Sequence, residues 1–203
     1  MTTIDIPAAL ATILSRQSVA KLTEPGPTDE QLALILEAAT TVPDHGQLRP
    51  WRLVVVRDDA RNAFGDALAA AGQDALGDEL GARASKLRGK AFIAPALVVL
   101  VASPVDDPKV PVWEQVSSAS CTGYAIALAA HALGLGAVWK TAPYLDGTLM
   151  RSALGLRDGE QVLGWVNLGT PARESEAPHA RPDLTTVVTE LDPVARTPVQ
   201  WAP

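Results

Sequence analysis

The first side chains whose spacing suggests chemistry lie in the segment "SRQSVAK", where Arg16 and Ser18 are two residues apart. An arginine is always charged and donates paired hydrogen bonds to phosphate oxygens, and a serine hydroxyl adds a short hydrogen bond. The two residues together could therefore bind a phosphate group. Either residue alone is more typical of an ordinary polar helix end, because exposed arginine and serine are common.

A second set of polar side chains lies in the segment "TTVPDHGQLRPWRLVVV", residues 40–56. Pro43 and Gly46 favour a turn, and Pro50 disfavours helix at the residue before it. The loop holds an aspartate, a histidine, a glutamine and an arginine directly before an apolar run. A polar loop at the end of a rigid strand is a common place for a binding site. A solvated connection between a helix and a strand fits these residues equally well.

Two further patterns point to other functions. Ser18 and Lys21 form S-x-x-K, and "KTA" at 140–142 is one residue from K-T-G, in the order found in penicillin-binding enzymes. No S-D-N element lies between them, so a serine acyl-enzyme is a minor alternative. "LGLGAVW" has two glycines, but Trp139 occupies the third position, and the run leaves a helix for a strand. This order is the reverse of a dinucleotide-binding fingerprint, which we therefore reject.

The histidines and the cysteine give little support to other chemistry. His45, His131 and His179 lie far apart in the sequence and share no metal-ligand spacing. Cys121 lies in a helical stretch of small residues, where we expect a buried, inert thiol rather than a nucleophile. A single cysteine allows no internal disulfide and indicates a reducing, cytoplasmic location.

Several elements must position these groups, and together they predict an α+β fold with a small sheet among several helices. Thr28 and Gln31 form a capping-box pattern that begins one helix. Asp58 is expected to cap another that ends at Gly72, and Asp146 to cap a short one. The other predicted helices cover residues 7–15, about 77–90 and 113–133, and the predicted strands cover 51–57, 94–102, 136–142 and 162–170.

Composition sets the limits of these hypotheses. The 203 residues include 47% hydrophobic ones, which is typical of one globular domain, and we assign residues 1–203 to it. The net charge of −6 disfavours a general nucleic-acid surface. No apolar run approaches the ~20 residues of a membrane span, and the N-terminus lacks the basic region of a signal peptide. Residues 171–203, rich in proline and charge, are expected to form an extended arm that either frays or is held by another subunit.

Four segments in order resemble the nitroreductase family, and most closely its short, YdjA-like branch. They are "SRQSVAKL", "EPGPTDEQLALILEAATTVPDHGQLRPWRLVVV", "VPVWEQVSSASCTGYAIALAAHALGLGAVWKT" and "VLGWVNLGTP", and they extend from about Leu14 to Pro171. The resemblance implies an FMN-dependent NAD(P)H oxidoreductase that reduces electron-poor acceptors such as nitroaromatics or quinones by a ping-pong mechanism. It also implies a small, mostly antiparallel sheet surrounded by helices, in an intertwined homodimer with FMN at the subunit interface.

The resemblance also implies roles for particular residues. The flavin ring itself carries the chemistry, so no catalytic side chain is assigned, and His45 and Lys140 are assisting donors. The expected FMN-binding residues form three groups: those near the phosphate and ribityl chain, those in the loop beside the ring, and those reaching the flavin from the partner subunit. They are Arg16, Gln17 and Ser18 in the first group, His45 and Gln47 in the second, and Trp139, Lys140 and Thr141 in the third.

Departures from the family pattern leave two questions open. Ala20 stands where many members carry arginine or lysine, and Arg49 replaces a glutamine before Pro-Trp. The cation that faces flavin O2 is therefore Lys140, Arg49 or Lys21, in that order of preference. The same binding contacts would also suit a non-catalytic flavin-storage protein, because hydride transfer requires little from side chains.

Overall fold

The computed structural model of the chain describes residues 6–77, 83–173, 180–192, 194 and 198–200, and it shows a five-stranded sheet between two layers of helices. The helices are α1 (Ala8–Ser15), α2 (Asp29–Ala39), α3 (Ala60–Leu76), α4 (Arg83–Gly89), α5 (Val112–Ala132) and α6 (Thr148–Ala153). The strands are β1 (Leu22–Thr23), β2 (Trp51–Arg57), β3 (Ala96–Ala102), β4 (Gly136–Lys140), β5 (Gln161–Pro171), β6 (Thr189–Leu191) and β7 (Pro198–Gln200).

The main sheet has the order β1-β5-β3-β2, and β4 also pairs with β5. Every strand pairing is antiparallel. All seven residues of β3 are buried, as its continuous apolar sequence predicts for a central strand covered on both faces. The predicted α+β class and antiparallel sheet are thus confirmed.

Each face of the sheet has its own hydrophobic core. One core lies under α3, α4 and α6, where the Phe64 ring meets the edge of Trp165 with centroids 5.4 Å apart. The other core packs α2 and α5 against the opposite face through Ile35 and Ile126, both fully buried. Because α5 lies directly on the sheet, groups along its length have fixed positions relative to the strands.

The capping box of α2 is confirmed, because the Thr28 hydroxyl accepts from the Gln31 amide and the Gln31 side chain accepts from the Thr28 amide. Two other capping predictions are wrong. Asp59, not Asp58, is the residue directly before α3, and its side chain makes no cap hydrogen bond. Gly147, not Asp146, is the residue directly before α6. Gly72 does not end α3: it is buried within the helix, which continues to Leu76 and is followed by Gly77 with a left-handed φ of 54°.

The C-terminal arm lies partly outside the described residues. In its described part β6 pairs antiparallel with β7, and the Arg181 guanidinium donates to the carbonyl of Leu14 at the end of α1. The chain's own first helix thus contacts the arm. Within the described parts of the chain, no helix is long and apolar enough to cross a membrane.

Candidate functional site

The loop between α2 and β2 adopts a strained and well-defined conformation. Three residues have left-handed backbone angles: Gly46 (φ 74°), Gln47 (φ 54°) and Arg49 (φ 50°). The carboxylate of Asp44 stabilises this arrangement by accepting hydrogen bonds from the amides of Leu48 and Arg49, at 3.2 and 2.8 Å. Side-chain-bearing residues rarely adopt these angles, and such strain is concentrated at functional sites.

Helix α5 holds the same loop from its other side. His45 Nδ1 lies 2.8 Å from Glu114 Oε1, in the first turn of α5. One turn further on, the Ser118 hydroxyl donates to the carbonyl of Pro43 at 2.5 Å. The side chain of His45, a predicted ring-binding residue, is therefore oriented by Glu114, and 57% of its surface is exposed.

Two cavities border this loop, and they share Asp44 in their linings. A cavity of about 260 Å³ lies between the loop and α5, and its lining includes His45, Glu114 and Cys121. A cavity of about 620 Å³ lies beside Gln47, Arg49 and Trp51. The two predicted ring-binding residues of the loop, His45 and Gln47, thus face different cavities.

The predicted phosphate-binding residues follow the end of α1. The Arg16 guanidinium lies over the Tyr124 ring of α5, 6.0 Å from its centroid, and Arg16 forms no ion pair with any residue that the structure describes. Ser18 is exposed, and Gln17 is half-buried. A guanidinium without an ion-pair partner in the described residues, followed two residues later by an exposed hydroxyl, has the donor chemistry that a phosphate monoester requires.

At the end of β4, the three predicted residues differ in what they expose. The Trp139 ring packs against α5 so closely that a Cβ on Gly123 would lie 2.6 Å from it, and its indole nitrogen donates to the Leu163 carbonyl. The Trp139 side chain is thus half-buried and held in place by α5 and β5. Lys140 is half-buried and Thr141 is exposed.

The basic residues near these segments fall into two classes. Arg52 donates to both carboxylate oxygens of the buried Glu160, at 3.1 and 2.7 Å, and to the carbonyls of Leu154 and Gly155. These hydrogen bonds hold the pKa of the Glu160 carboxyl well below its usual range. Arg52 is therefore structural.

Arg16, Lys21, Arg49 and Lys140 form the second class, because none of them has a carboxylate partner in the described part of the chain. These four are the cations that remain available to a ligand.

Within one chain, the histidine loop and the predicted phosphate-binding residues contact α5 at different points along its length. His45 contacts α5 at Glu114, and Arg16 contacts it at Tyr124, ten residues later. At 1.5 Å per residue the two contacts are about 15 Å apart along the helix axis. The phosphate-binding group and the histidine loop thus lie at well-separated positions in this chain.

Two expectations from the sequence are corrected here. Cys121 is exposed, not buried, because it lies on the outward face of α5 while Thr122 faces the core. Residues 16–21 form no helix, so Ser18 and Lys21 lack the adjacent placement that S-x-x-K requires of a serine acyl-enzyme.

The structure also includes residues that the sequence did not single out, namely Glu114, Ser118, Asp44 and Tyr124. Glu114 and Ser118 lie about 70 residues from the loop they contact, so no local pattern relates them to it. Asp44 could have been found, since aspartate in a turn commonly accepts from amides a few residues later. Among the residues that the structure describes, no cluster of three His, Cys, Asp or Glu side chains could hold a metal ion; His179 lies outside them.

Comparisons with known proteins agree with this architecture. The family model described as "Nitroreductase family" matches residues 13–170. "Putative NAD(P)H nitroreductase YdjA" of Escherichia coli K12 is 36% identical over 181 residues, which cover 89% of this chain and 98% of that protein.

Solved structures give the same result. A "Nitroreductase-like Family Protein" from Bacillus cereus has a TM-score of 0.76 at 24% identity, covering 93% of this chain and 97% of the other. A "putative nitroreductase in complex with fmn" from Desulfovibrio desulfuricans has a TM-score of 0.67 at 26% identity, covering 91% of this chain and 96% of the other.

Proposed function

Because this chain belongs to the nitroreductase family, we propose that it is an FMN-dependent oxidoreductase that takes a hydride from NAD(P)H and reduces electron-poor planar acceptors. Nitroaromatics and quinones are the acceptor class. The NAD(P)H in the name of the Escherichia coli relative and the FMN bound to the Desulfovibrio desulfuricans protein support the two cofactors.

The observation that carries this proposal is the uncompensated guanidinium of Arg16 at the end of α1, with the Ser18 hydroxyl two residues later. A phosphate monoester with two negative charges requires a fixed cation and short donors, and these two side chains provide them. Gln17 lies between them and would contact the ribityl chain. No adenylate-binding fingerprint is present in the sequence, so FMN fits the chain better than FAD.

The flavin ring would lie between the histidine loop and the end of β4. His45 and Gln47 would supply polar groups from the loop, and Lys140 and Thr141, next to Trp139, would supply them from the end of β4. Of the three cations considered for flavin O2, Lys140 is half-buried while Arg49 and Lys21 are exposed. Partial burial limits the motion of a lysine side chain, so we assign this role to Lys140.

The site is proposed to be complete only in a homodimer. Helix α1 has no buried residue, and its apolar side chains Leu10, Ile13 and Leu14 are 43–48% exposed. Helix α5 likewise exposes Trp113 and Tyr124. Apolar surface on two adjacent helices favours burial against a second copy, and that copy would complete the flavin site across the interface.

When bound, FMN would supply the hydride chemistry between nicotinamide and acceptor. The residues of this chain would bind the phosphate and orient the ring, with the loop and the end of β4 framing a slot for planar ligands. If nicotinamide and acceptor use the same slot, they bind in turn, which gives ping-pong kinetics. Few specific hydrogen bonds line such a slot, so the enzyme would accept many planar compounds.

Anaerobic mixing of the FMN-loaded protein with NADPH, and separately with NADH, tests the catalytic part of this proposal. Bleaching of the flavin by either nucleotide is the expected result, and bleaching by neither would favour flavin storage. Initial rates over a matrix of nucleotide and nitroaromatic concentrations then test the mechanism. Parallel double-reciprocal lines are expected, and intersecting lines would indicate a ternary complex. The cytoplasmic location stays a prediction from the single cysteine.

A further inference from the structure

The contact between His45 and Glu114 points to one ring nitrogen of the histidine as the hydrogen-bond donor. Nδ1 and Glu114 Oε1 are 2.8 Å apart, and an ionised carboxylate can only accept a hydrogen bond. The proton between the two atoms therefore belongs to Nδ1. This leaves Nε2 as the ring nitrogen available to a ligand.

This assignment restricts what His45 can do. A neutral ring with its proton on Nδ1 can only accept a hydrogen bond through Nε2. His45 can act as a donor through Nε2 only in the doubly protonated form, which then forms an ion pair with Glu114. In the single chain the ring is 57% exposed, so Nε2 is open to a ligand or to water.

We propose that His45 delivers the proton that accompanies hydride transfer to the acceptor, and that Glu114 is its positioning residue. Two-electron reduction of a quinone consumes one hydride, which the proposed function supplies, and one proton. The Nε2–H bond breaks with its electron pair remaining on nitrogen, and an O–H bond forms on the quinone oxygen. The histidine is left neutral with its proton on Nδ1, still bonded to Glu114.

Three other titratable groups lie on or near the cavity, and the structure shows none of them bonded to the His45 ring or to Glu114. Asp44 lines the same cavity, but its carboxylate accepts from the amides of Leu48 and Arg49. Cys121 lines the cavity from α5 as an exposed thiol. The loop before α5 lines it through Val110, whose amide, like that of Lys109, donates to the Asp107 carboxylate.

The tautomer can be tested without flavin or turnover. Long-range ¹H–¹⁵N correlation spectra of the uniformly labelled protein report which ring nitrogen is protonated, and a His45→Gln variant assigns the signal among three histidines. We expect the neutral ring of His45 to carry its proton on Nδ1, and Glu114→Ala to give a mixture of tautomers. A proton on Nε2 in the unaltered protein would overturn the proposal.

The proton delivery is tested on the oxidative half-reaction, in which pre-reduced protein is mixed with a quinone at a series of pH values. His45→Gln should slow reoxidation about tenfold and remove its pH dependence. This decrease in rate is smaller than the usual effect of removing a general acid, because water can deliver the proton instead. Glu114→Gln should slow reoxidation and shift its pH profile. Glu114→Asp, which keeps a carboxylate, should recover part of the lost rate. An unchanged profile in both His45→Gln and Glu114→Gln would refute the role.

Ser118→Ala is the matched control, because Ser118 connects the same helix to the same loop without touching the histidine ring. If Glu114 only held the loop in place, Ser118→Ala would alter the pH profile as Glu114→Gln does. We expect it to leave the profile and the tautomer unchanged. This inference rests on the proposed function, but a protein that NAD(P)H fails to bleach would contradict that function alone, since pre-reduction by dithionite still permits this test.

Discussion

The histidine loop and the end of α1 are both expected to bind one ligand, yet the chain holds them very differently. The loop is fixed by the Asp44 carboxylate within it and by Glu114 and Ser118 from α5. Arg16 follows a helix with no buried residue, and among the described residues its guanidinium lies only against the Tyr124 ring, 6.0 Å from the centroid. One part of the site is thus organised within the chain, and the other has unused binding capacity.

This difference teaches where binding free energy is available. Groups that already satisfy one another, such as Arg52 and Glu160, contribute mainly to the stability of the fold. A charged group without a partner contributes little to stability and much to ligand binding, because its interaction forms only with the ligand. Substitutions at the two kinds of site should therefore separate stability from affinity.

The largest effect on stability is expected for Glu160→Ala, which leaves two arginines without their shared carboxylate. We expect a loss of about 3 kcal/mol in the free energy of unfolding, near the lower limit for a buried pair because both arginines reach solvent. Urea unfolding measures this loss. Glu37→Ala, at an exposed position of α2, is the control and should change stability by less than about 0.5 kcal/mol.

The same pair predicts a dependence on pH. The pKa of Glu160 is lower in the folded protein than its value of about 4.3 in the unfolded chain. Its contribution is therefore complete above about pH 5 and is lost as the pH falls further. The free energy of unfolding should decrease toward acid pH, with a smaller slope in Glu160→Ala; equal slopes in both proteins would contradict the assignment.

The exposed face of α1 predicts an effect on assembly. Ile13→Arg places a charge in the proposed subunit interface and should raise the dimer dissociation constant at least about 30-fold, equivalent to about 2 kcal/mol. Leu34→Arg, at an even more exposed apolar residue, on α2, should leave the dissociation constant unchanged. Sedimentation equilibrium distinguishes the two variants. A dimer that tolerates Ile13→Arg but dissociates in Leu34→Arg would place the interface elsewhere.

Removal of the free guanidinium should separate affinity from stability. Arg16→Ala is expected to weaken FMN binding at least about tenfold, since a hydrogen bond to a charged group contributes about 1.5–3 kcal/mol. Arg16→Lys retains the charge without the paired donors, so its FMN affinity should lie between those of the unaltered protein and Arg16→Ala. Fluorescence titration of FMN measures both, and thermal unfolding should show little change. Unchanged FMN affinity in Arg16→Ala would exclude the phosphate role.

The smallest effects concern the cavity between the loop and α5. His45→Ala should lower turnover or flavin affinity, because it removes the oriented polar group nearest the proposed ring position. Cys121→Ser should leave both nearly intact, even though Cys121 is exposed in the same cavity. Steady-state rates and FMN titrations of the two variants check this contrast, and a larger loss in Cys121→Ser than in His45→Ala would reverse the assignment.

Patterns within short segments predicted much of the fold. The T-x-x-Q capping box of α2, the continuous apolar run of β3 and the long α5 depend on neighbouring residues, and the structure has all three. The exposure of Cys121 could not be read in this way. Small residues occur on every side of α5, so the sequence does not show which side faces the core.

The same distinction between local patterns and tertiary contacts applies to the residues of the site. Arg16 and Ser18 are neighbours in sequence, and their combination could be recognised directly. The partner of His45 could not, because Glu114 reaches it only after α5 has packed across the sheet. Contacts between distant segments depend on tertiary packing, which no local spacing records.

The absorption spectrum of the purified protein, loaded with FMN and then treated anaerobically with NADPH and with NADH, tests the proposed function most directly. We predict a flavin band near ~450 nm that stays with the protein through gel filtration and is bleached by at least one nucleotide. Absence of that band after addition of FMN, or a bound flavin that neither nucleotide bleaches, would contradict an FMN-dependent NAD(P)H oxidoreductase.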